Sequence, residues 1–198
     1  MTSNLEKKDI AQLHTLFLVG GTGRFVGKTT FVEMLIKKFS GDHPIVALKI
    51  SNIKPGDEAV HGWHGDQLKE PFKIEEELVA DDSKDTRRFL AAGANRSFFL
   101  RSFEESLPQA MEAFFKLISP GTLLVAESNT LRNHIHPGAF VMVTDAGKPV
   151  DKKEAITLLD QADRVFTRLD KDEFQEVIDG VRISENGWKL RSFSPPQR

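Results

Sequence analysis

The sequence predicts a three-layer α/β/α fold in one domain, with helices on both faces of a mostly parallel sheet. Three observations predict it. Short β-rich runs alternate with helical stretches from Leu13 to Ile178. Several of the short runs, such as Leu13 to Val19 and Thr122 to Ala126, are mostly apolar, as strands covered on both faces are. The length, 198 residues, suits a single domain with a full hydrophobic core.

The elements follow in order. Leu13 to Val19 reads as a buried strand, and Thr29 to Phe39 as a helix with Phe31, Met34, Leu35 and Phe39 on one face. Pro44 to Ile50 is a second strand. Ser51 to Pro71 is irregular and rich in Gly, His and Asp, and a loop of that length inside a domain is usually functional. Phe72 to Leu78 reads as a strand, with Glu75, Glu76 and Glu77 as a solvated acidic face. Ser83 to Ala92 is a helix stopped by Gly93, and Arg96 to Leu100 a strand. Glu104 to Ile118 is an amphipathic helix. Thr122 to Ala126 and Ala139 to Val143 are strands. Lys152 to Ala162 is a helix, Arg164 to Thr167 a strand and Lys171 to Ile178 a helix. Val181 to Ser184 and Trp188 to Ser192 form a terminal hairpin around Asn186-Gly187. In such a sheet, ligands bind beyond the carboxyl ends of the strands.

Composition excludes several classes. The net charge of −2 offers no strongly basic surface for nucleic acid or membrane. Cysteine is absent, which removes disulfides and thiolate metal sites and agrees with a reducing compartment. Met1 to Gln12 is polar and lacks the apolar core of a signal peptide. No apolar run approaches the ~20 residues that span a bilayer. The expectation is a cytoplasmic protein.

The strongest local signal is Gly20-Gly21-Thr22-Gly23-Arg24-Phe25-Val26-Gly27-Lys28-Thr29-Thr30. It follows a strand and opens a helix, the context of a P-loop. Its glycines let successive backbone N–H groups turn toward phosphate oxygens, and the helix N-terminus adds partial positive charge. Lys28 is the candidate for the β- and γ-phosphates, and the Thr29 hydroxyl for Mg²⁺. Gly21, Thr22, Gly23, Phe25, Val26, Gly27 and Thr30 complete the nucleotide contacts. Arg24 either touches a phosphate or faces solvent. Glu127 ends an apolar strand, where a carboxylate holds Mg²⁺ or orients the attacking group. The ligands expected are therefore Mg²⁺ and GTP or ATP. The strict pattern has glycine where this chain has Thr22, with Gly21 one place earlier.

That spelling, at Gly21, Thr22, Val26, Gly27, Lys28 and Thr29, resembles the loop of dethiobiotin synthetases and cobyric-acid-type amidotransferases. Lys84-Asp85-Thr86-Arg87-Arg88 through Ala91-Ala92-Gly93-Ala94 resembles the K-D-[ST]-x-R-x-x-x-A-G-A stretch of the molybdopterin-guanine dinucleotide biosynthesis protein B family. Val46-Ala47-Leu48-Lys49 resembles the end of that family's second strand, and Val125-Ala126-Glu127 its V-E-G. Ser51 stands where the family carries a His, and Ser128-Asn129 replaces its glycine. The resemblance spans residues 15 to 130 and implies a P-loop NTPase with slow hydrolysis. It would work as an accessory in cofactor biosynthesis, with a partner protein of that process and a possible homodimer. Ala162 to Asp170 resembles the A-D-x-V-x-x-N-K-x-D of the nickel-insertion GTPases. That likeness implies Asp170 as acceptor for guanine N1 and N2, with Arg168 against the base and Thr167 in place of the Asn. The alternative for Asp170 is an N-cap of the Lys171 helix.

Lys49, Asp85 and Arg132 are the candidate substrate contacts, with Lys54 as a further cation. Asp85 either starts its helix or faces the metal. His61, His64, His134 and His136 lie in expected loops, where they face solvent or hydrogen-bond, gather around a metal, or form a lid over the phosphate loop. Two other readings stay open: a small-molecule phosphotransferase or dethiobiotin-type ligase, and a nucleotide-regulated binding module without turnover.

Overall fold

The computed structural model describes residues 11–53, 70–145, 153–167 and 171–192. Among them, seven strands form one sheet in the order β3-β4-β2-β5-β1-β6-β7. These are β1 (Ala11–Gly21), β2 (Ile45–Asn52), β3 (Phe72–Glu77), β4 (Arg96–Ser102), β5 (Leu123–Glu127), β6 (Ile135–Thr144) and β7 (Arg164–Thr167). Every neighbouring pair is parallel except β3 with β4. The sheet is thus mixed but mostly parallel.

Helices cover both faces. The first is α1 (Lys28–Phe39), which buries Phe31, Val32, Leu35 and Ile36. With α2 (Asp85–Ala91) and α5 (Lys171–Gly180) it packs on the face carrying Phe17, Val19, Ala47 and Val125. On the other face, α3 (Leu107–Phe115) and α4 (Lys153–Leu159) cover Leu16, Leu18, Leu48 and Phe140. Alternate residues of each buried strand feed opposite cores, as a period of two requires. A separate hairpin, β8 (Val181–Ser184) with β9 (Gly187–Leu190), lays Trp188 edge-on to Phe17 and Phe39 at 5.6 and 5.3 Å.

Four expectations need correction. The helix expected over Glu104 to Ile118 opens as a 3-10 turn, Glu104–Ser106, and α3 runs only from Leu107 to Phe115. Pro108 lies in its first turn, where the missing N–H costs nothing, so the regular helix begins there. β6 starts at Ile135, not Ala139, and runs alongside Ala11, Gln12 and Leu13 of β1. Pro137 is tolerated because the β1–β6 ladder is interrupted there: the register shifts between Leu13 and Phe17 of β1, and a bulge does not need the missing N–H. The hairpin turns at Glu185-Asn186, one residue earlier than expected. The positive φ falls on Gly187 (117°), the bulge position after a type I turn. A Cβ there would also meet the His14 carbonyl oxygen at 2.3 Å. Finally, the acids of β3 are not an idle solvated face. Glu75 pairs with Arg101 and Lys73 at 3.0 Å each, Glu76 with Arg96 at 2.6 Å and Glu77 with Arg87 at 3.1 Å.

Candidate functional site

The chain leaves β1 at Gly21, curls through residues 22–27 and enters α1 at Lys28. Three tethers shape the curl. The Thr22 N–H donates to the Val143 carbonyl at 3.0 Å. Val26 is buried and anchors the loop in the core. The Asn129 side chain grips Gly21 at both ends of its peptide groups: Oδ1 accepts from the Gly21 N–H and Nδ2 donates to its carbonyl, each at 2.8 Å.

Backbone conformation does the rest. Gly27 stands before the helix at φ 107°, which a side chain would resist. Phe25 holds φ 60° without being glycine, and its ring is 87 % exposed. A bulky residue in that region is a genuine outlier, held by its surroundings. No side chain caps α1, and its first bond runs from the Phe31 N–H to the Gly27 carbonyl at 3.0 Å. The first-turn N–H groups, Lys28 to Thr30, therefore open onto the loop. Lys28 folds back, its Nζ donating to the Gly23 carbonyl at 2.7 Å. Gly23 and Arg24 are exposed and Thr22 half-buried.

Beside this loop lies a charged cluster built by the sheet register. Val19 of β1, Glu127 of β5 and Lys49 of β2 are direct neighbours across three strands. Glu127 and Lys49 point to the α1 face, in phase with Val125 and Ala47. The Thr29 hydroxyl donates to Glu127 Oε2 at 2.9 Å, and Lys49 Nζ approaches Glu127 Oε1 at 3.3 Å. Lys49 also donates to Asp85, the first residue of α2. Arg88 fixes α2 to α1 through a two-pronged pair with Glu33, at 3.0 and 2.7 Å. Burial alone would pull the Lys49 ammonium down, but Glu127 and Asp85 together overcome it and raise its pKa.

The structure therefore brings Thr29, Lys49, Asp85 and Glu127 together from four separate stretches of chain, with Lys28 next to Thr29 at the loop. Asp85 starts its helix and faces the cluster at once. Arg132 is not brought to them. It follows Glu127 in a 3-10 turn, Thr130–Asn133, and lies over the Phe140 ring at 6.0 Å, on the α3 side of the sheet. Burial lowers its pKa against the pull of Asp163. His136 pairs across from Gln12, at the amino end of the sheet, so the expected lid of His134 and His136 at a strand's carboxyl end is overturned. Asp170, Arg168, Lys54, His61 and His64 lie outside the described residues. Among the described residues, no group of three or more His, Cys, Asp or Glu is arranged to hold a metal.

Sequence reading missed Asn129 as a loop anchor and Arg88 as a brace. Both had a signal: a departure directly after Glu127, and an Arg inside the Lys-Asp-Thr stretch. It also missed a cavity of about 380 Å³ bordered by Lys49, Asp85, Glu75, Glu77, Thr86 and Phe99. Its size falls in the range of small-molecule sites.

Fold and site together define a mostly parallel α/β protein with a glycine-rich loop and an ionic cluster at the carboxyl end of its sheet. The chain matches no protein-family model, no curated protein and no solved structure. Among the described residues, no helix is long and apolar enough to cross a membrane.

Proposed function

We propose that this chain is a P-loop protein that binds a nucleoside triphosphate with Mg²⁺ and hydrolyses it slowly, as an accessory in cofactor biosynthesis. The observation that carries the reading is the 2.9 Å contact between the Thr29 hydroxyl and Glu127 at the mouth of an uncapped helix. Two hard oxygen donors, side by side next to a ring of backbone N–H groups, suit Mg²⁺ bound together with phosphate. Thr29 and Glu127 would hold the ion. When bound, it neutralises charge on the phosphate oxygens.

The chain's own groups supply the remainder. Backbone N–H groups of residues 23–29 receive the phosphates. Lys28 exchanges the Gly23 carbonyl for a phosphate oxygen, a stronger charge-assisted bond. As the γ-phosphoryl leaves, Lys28 meets the growing negative charge, and Glu127 orients the attacking water. Guanine over adenine follows from the Asp170 reading, since only guanine offers N–H donors at N1 and N2. The resemblance to the molybdopterin-guanine dinucleotide biosynthesis proteins suggests the pathway, with a partner protein and a homodimer as its corollaries.

A second reading has its own observation. The cavity next to Lys49 and Asp85 adjoins the cluster. An acceptor held there would make the chain a small-molecule phosphotransferase or ligase.

Titration calorimetry with GTP and ATP, each with and without Mg²⁺, tests the proposal. Mg²⁺-dependent binding is expected. Lys28→Ala should weaken it about tenfold to a hundredfold, the equivalent of ~1.5–3 kcal/mol for one hydrogen bond to a charged group. Equal affinity in wild type and variant, or no nucleotide binding at all, ends the reading. Phosphate release that requires an added metabolite would select the second reading.

A further inference from the structure

Both oxygens of Glu127 are already engaged. Oε2 accepts from Thr29 at 2.9 Å, and Oε1 faces the Lys49 ammonium at 3.3 Å. The Glu127 side chain is 7 % exposed, so it has little water to share between cations. The Lys49 and Glu127 backbones cannot move apart, because the two residues are register neighbours on adjacent parallel strands. The ammonium is held at the same time by the Asp85 carboxylate, the partner it keeps when it gives up Glu127. That partner is rigid. Asp85 opens α2, and α2 is braced by Arg88 against Glu33 of α1, the helix that carries Thr29.

We propose that Lys49 is a positioning residue: a resident cation that keeps Mg²⁺ alone off Glu127 and retires to Asp85 when Mg²⁺ arrives with a nucleotide. The inference rests on the nucleotide reading above and goes beyond it. Two positive charges at one buried carboxylate repel each other. A bare divalent ion must therefore displace Lys49 without help, whereas a nucleotide brings its own phosphate oxygens to complete the coordination. Metal binding becomes conditional on the nucleotide, and Asp85 sets how readily the exchange occurs.

Calorimetric titration of Mg²⁺ alone, without nucleotide, separates this from a structural ion pair. Wild type should bind Mg²⁺ weakly. Lys49→Met and Lys49→Gln should each bind it at least tenfold more tightly, while thermal melts confirm that both are folded. Asp85→Asn gives the opposite arm. With only Glu127 left for Lys49, affinity for Mg²⁺ with a non-hydrolysable GTP or ATP analogue should fall at least threefold. A plain charge effect runs the other way, because Asp85 repels a net-negative complex. In the Lys49→Met background the Asp85→Asn penalty should vanish.

Wild-type Mg²⁺ affinity in both Lys49 variants overturns the proposal, as does an Asp85→Asn protein that binds the complex as well as wild type or better. The two readings fail separately. If wild type binds no nucleotide but the Lys49 variants gain Mg²⁺ affinity, the nucleotide function falls and the resident cation stands. If nucleotide binds and the variants gain nothing, only the resident cation falls.

Discussion

Asn129 uses one amide group to bond both the N–H and the carbonyl of Gly21, so it fixes where β1 stops being a strand. Asn129→Ala removes both bonds and leaves two backbone groups to find water. The expected loss is about 1–3 kcal/mol at ~1 kcal/mol per hydrogen bond. Urea unfolding should show it as a lower midpoint with an unchanged slope. Asn129→Asp keeps the acceptor but turns the donor into a repelled oxygen. It should lose at least as much stability and weaken anion binding at the loop as well. None of this was legible before the fold was known. Asn129 could be noticed in the sequence only as a departure from a glycine, whereas its partner Gly21 lies 108 residues away. The position of Lys28 and Thr29 at the start of α1 was legible because everything that sets it is local: a strand, a turn of glycines and a helix start. Phe25 is a different case. Its φ of 60° and its exposed ring mark it as held in an unfavourable state.

Among the elements, strands and helices with their own apolar pattern were read correctly to within a few residues. The misses lie where a partner changes the local rule. β6 extends over Pro137 because β1 pairs with it on both sides of a register shift, and the break in the ladder falls beside the proline. α3 begins late because Pro108 can occupy only a first turn. The β8–β9 hairpin turns early because Gly187 is needed against the backbone of His14 more than at the tip. That hairpin depends on Trp188, which is 1 % exposed and inserts between Phe17 and Phe39. Trp188→Ala should cost about 3–5 kcal/mol, the range for truncating a buried aromatic. Because the contact is to β1 and α1, the loss should appear in global unfolding, not as local fraying of the hairpin. Hydrogen exchange of the β8 and β9 amides, compared with those of β5, distinguishes the two.

Over the whole molecule, the two helical layers and the loop tethers would make the proposed nucleotide binding a matter of global stability. A ligand that binds only the folded state stabilises it by about 2.7 kcal/mol at a hundredfold excess over Kd. For a chain of this size that is a rise of roughly 5–11 °C in Tm. Mg²⁺ with GTP should produce it in a thermal melt, and Lys28→Ala should abolish most of it at the same ligand concentration. The sequence by itself determined the alternation of strands and helices, hence an α/β sheet with both faces covered, and the glycine-rich loop between β1 and α1. Those features depend on residues close together in the chain. Only the tertiary structure decided that β2 lies between β4 and β5, which places Lys49 beside Glu127 across 78 residues of sequence. It also placed Arg132 on the opposite face and set the cavity next to Asp85. Strand order is chosen by which apolar faces pack best once several elements have met, and no local pattern carries that information.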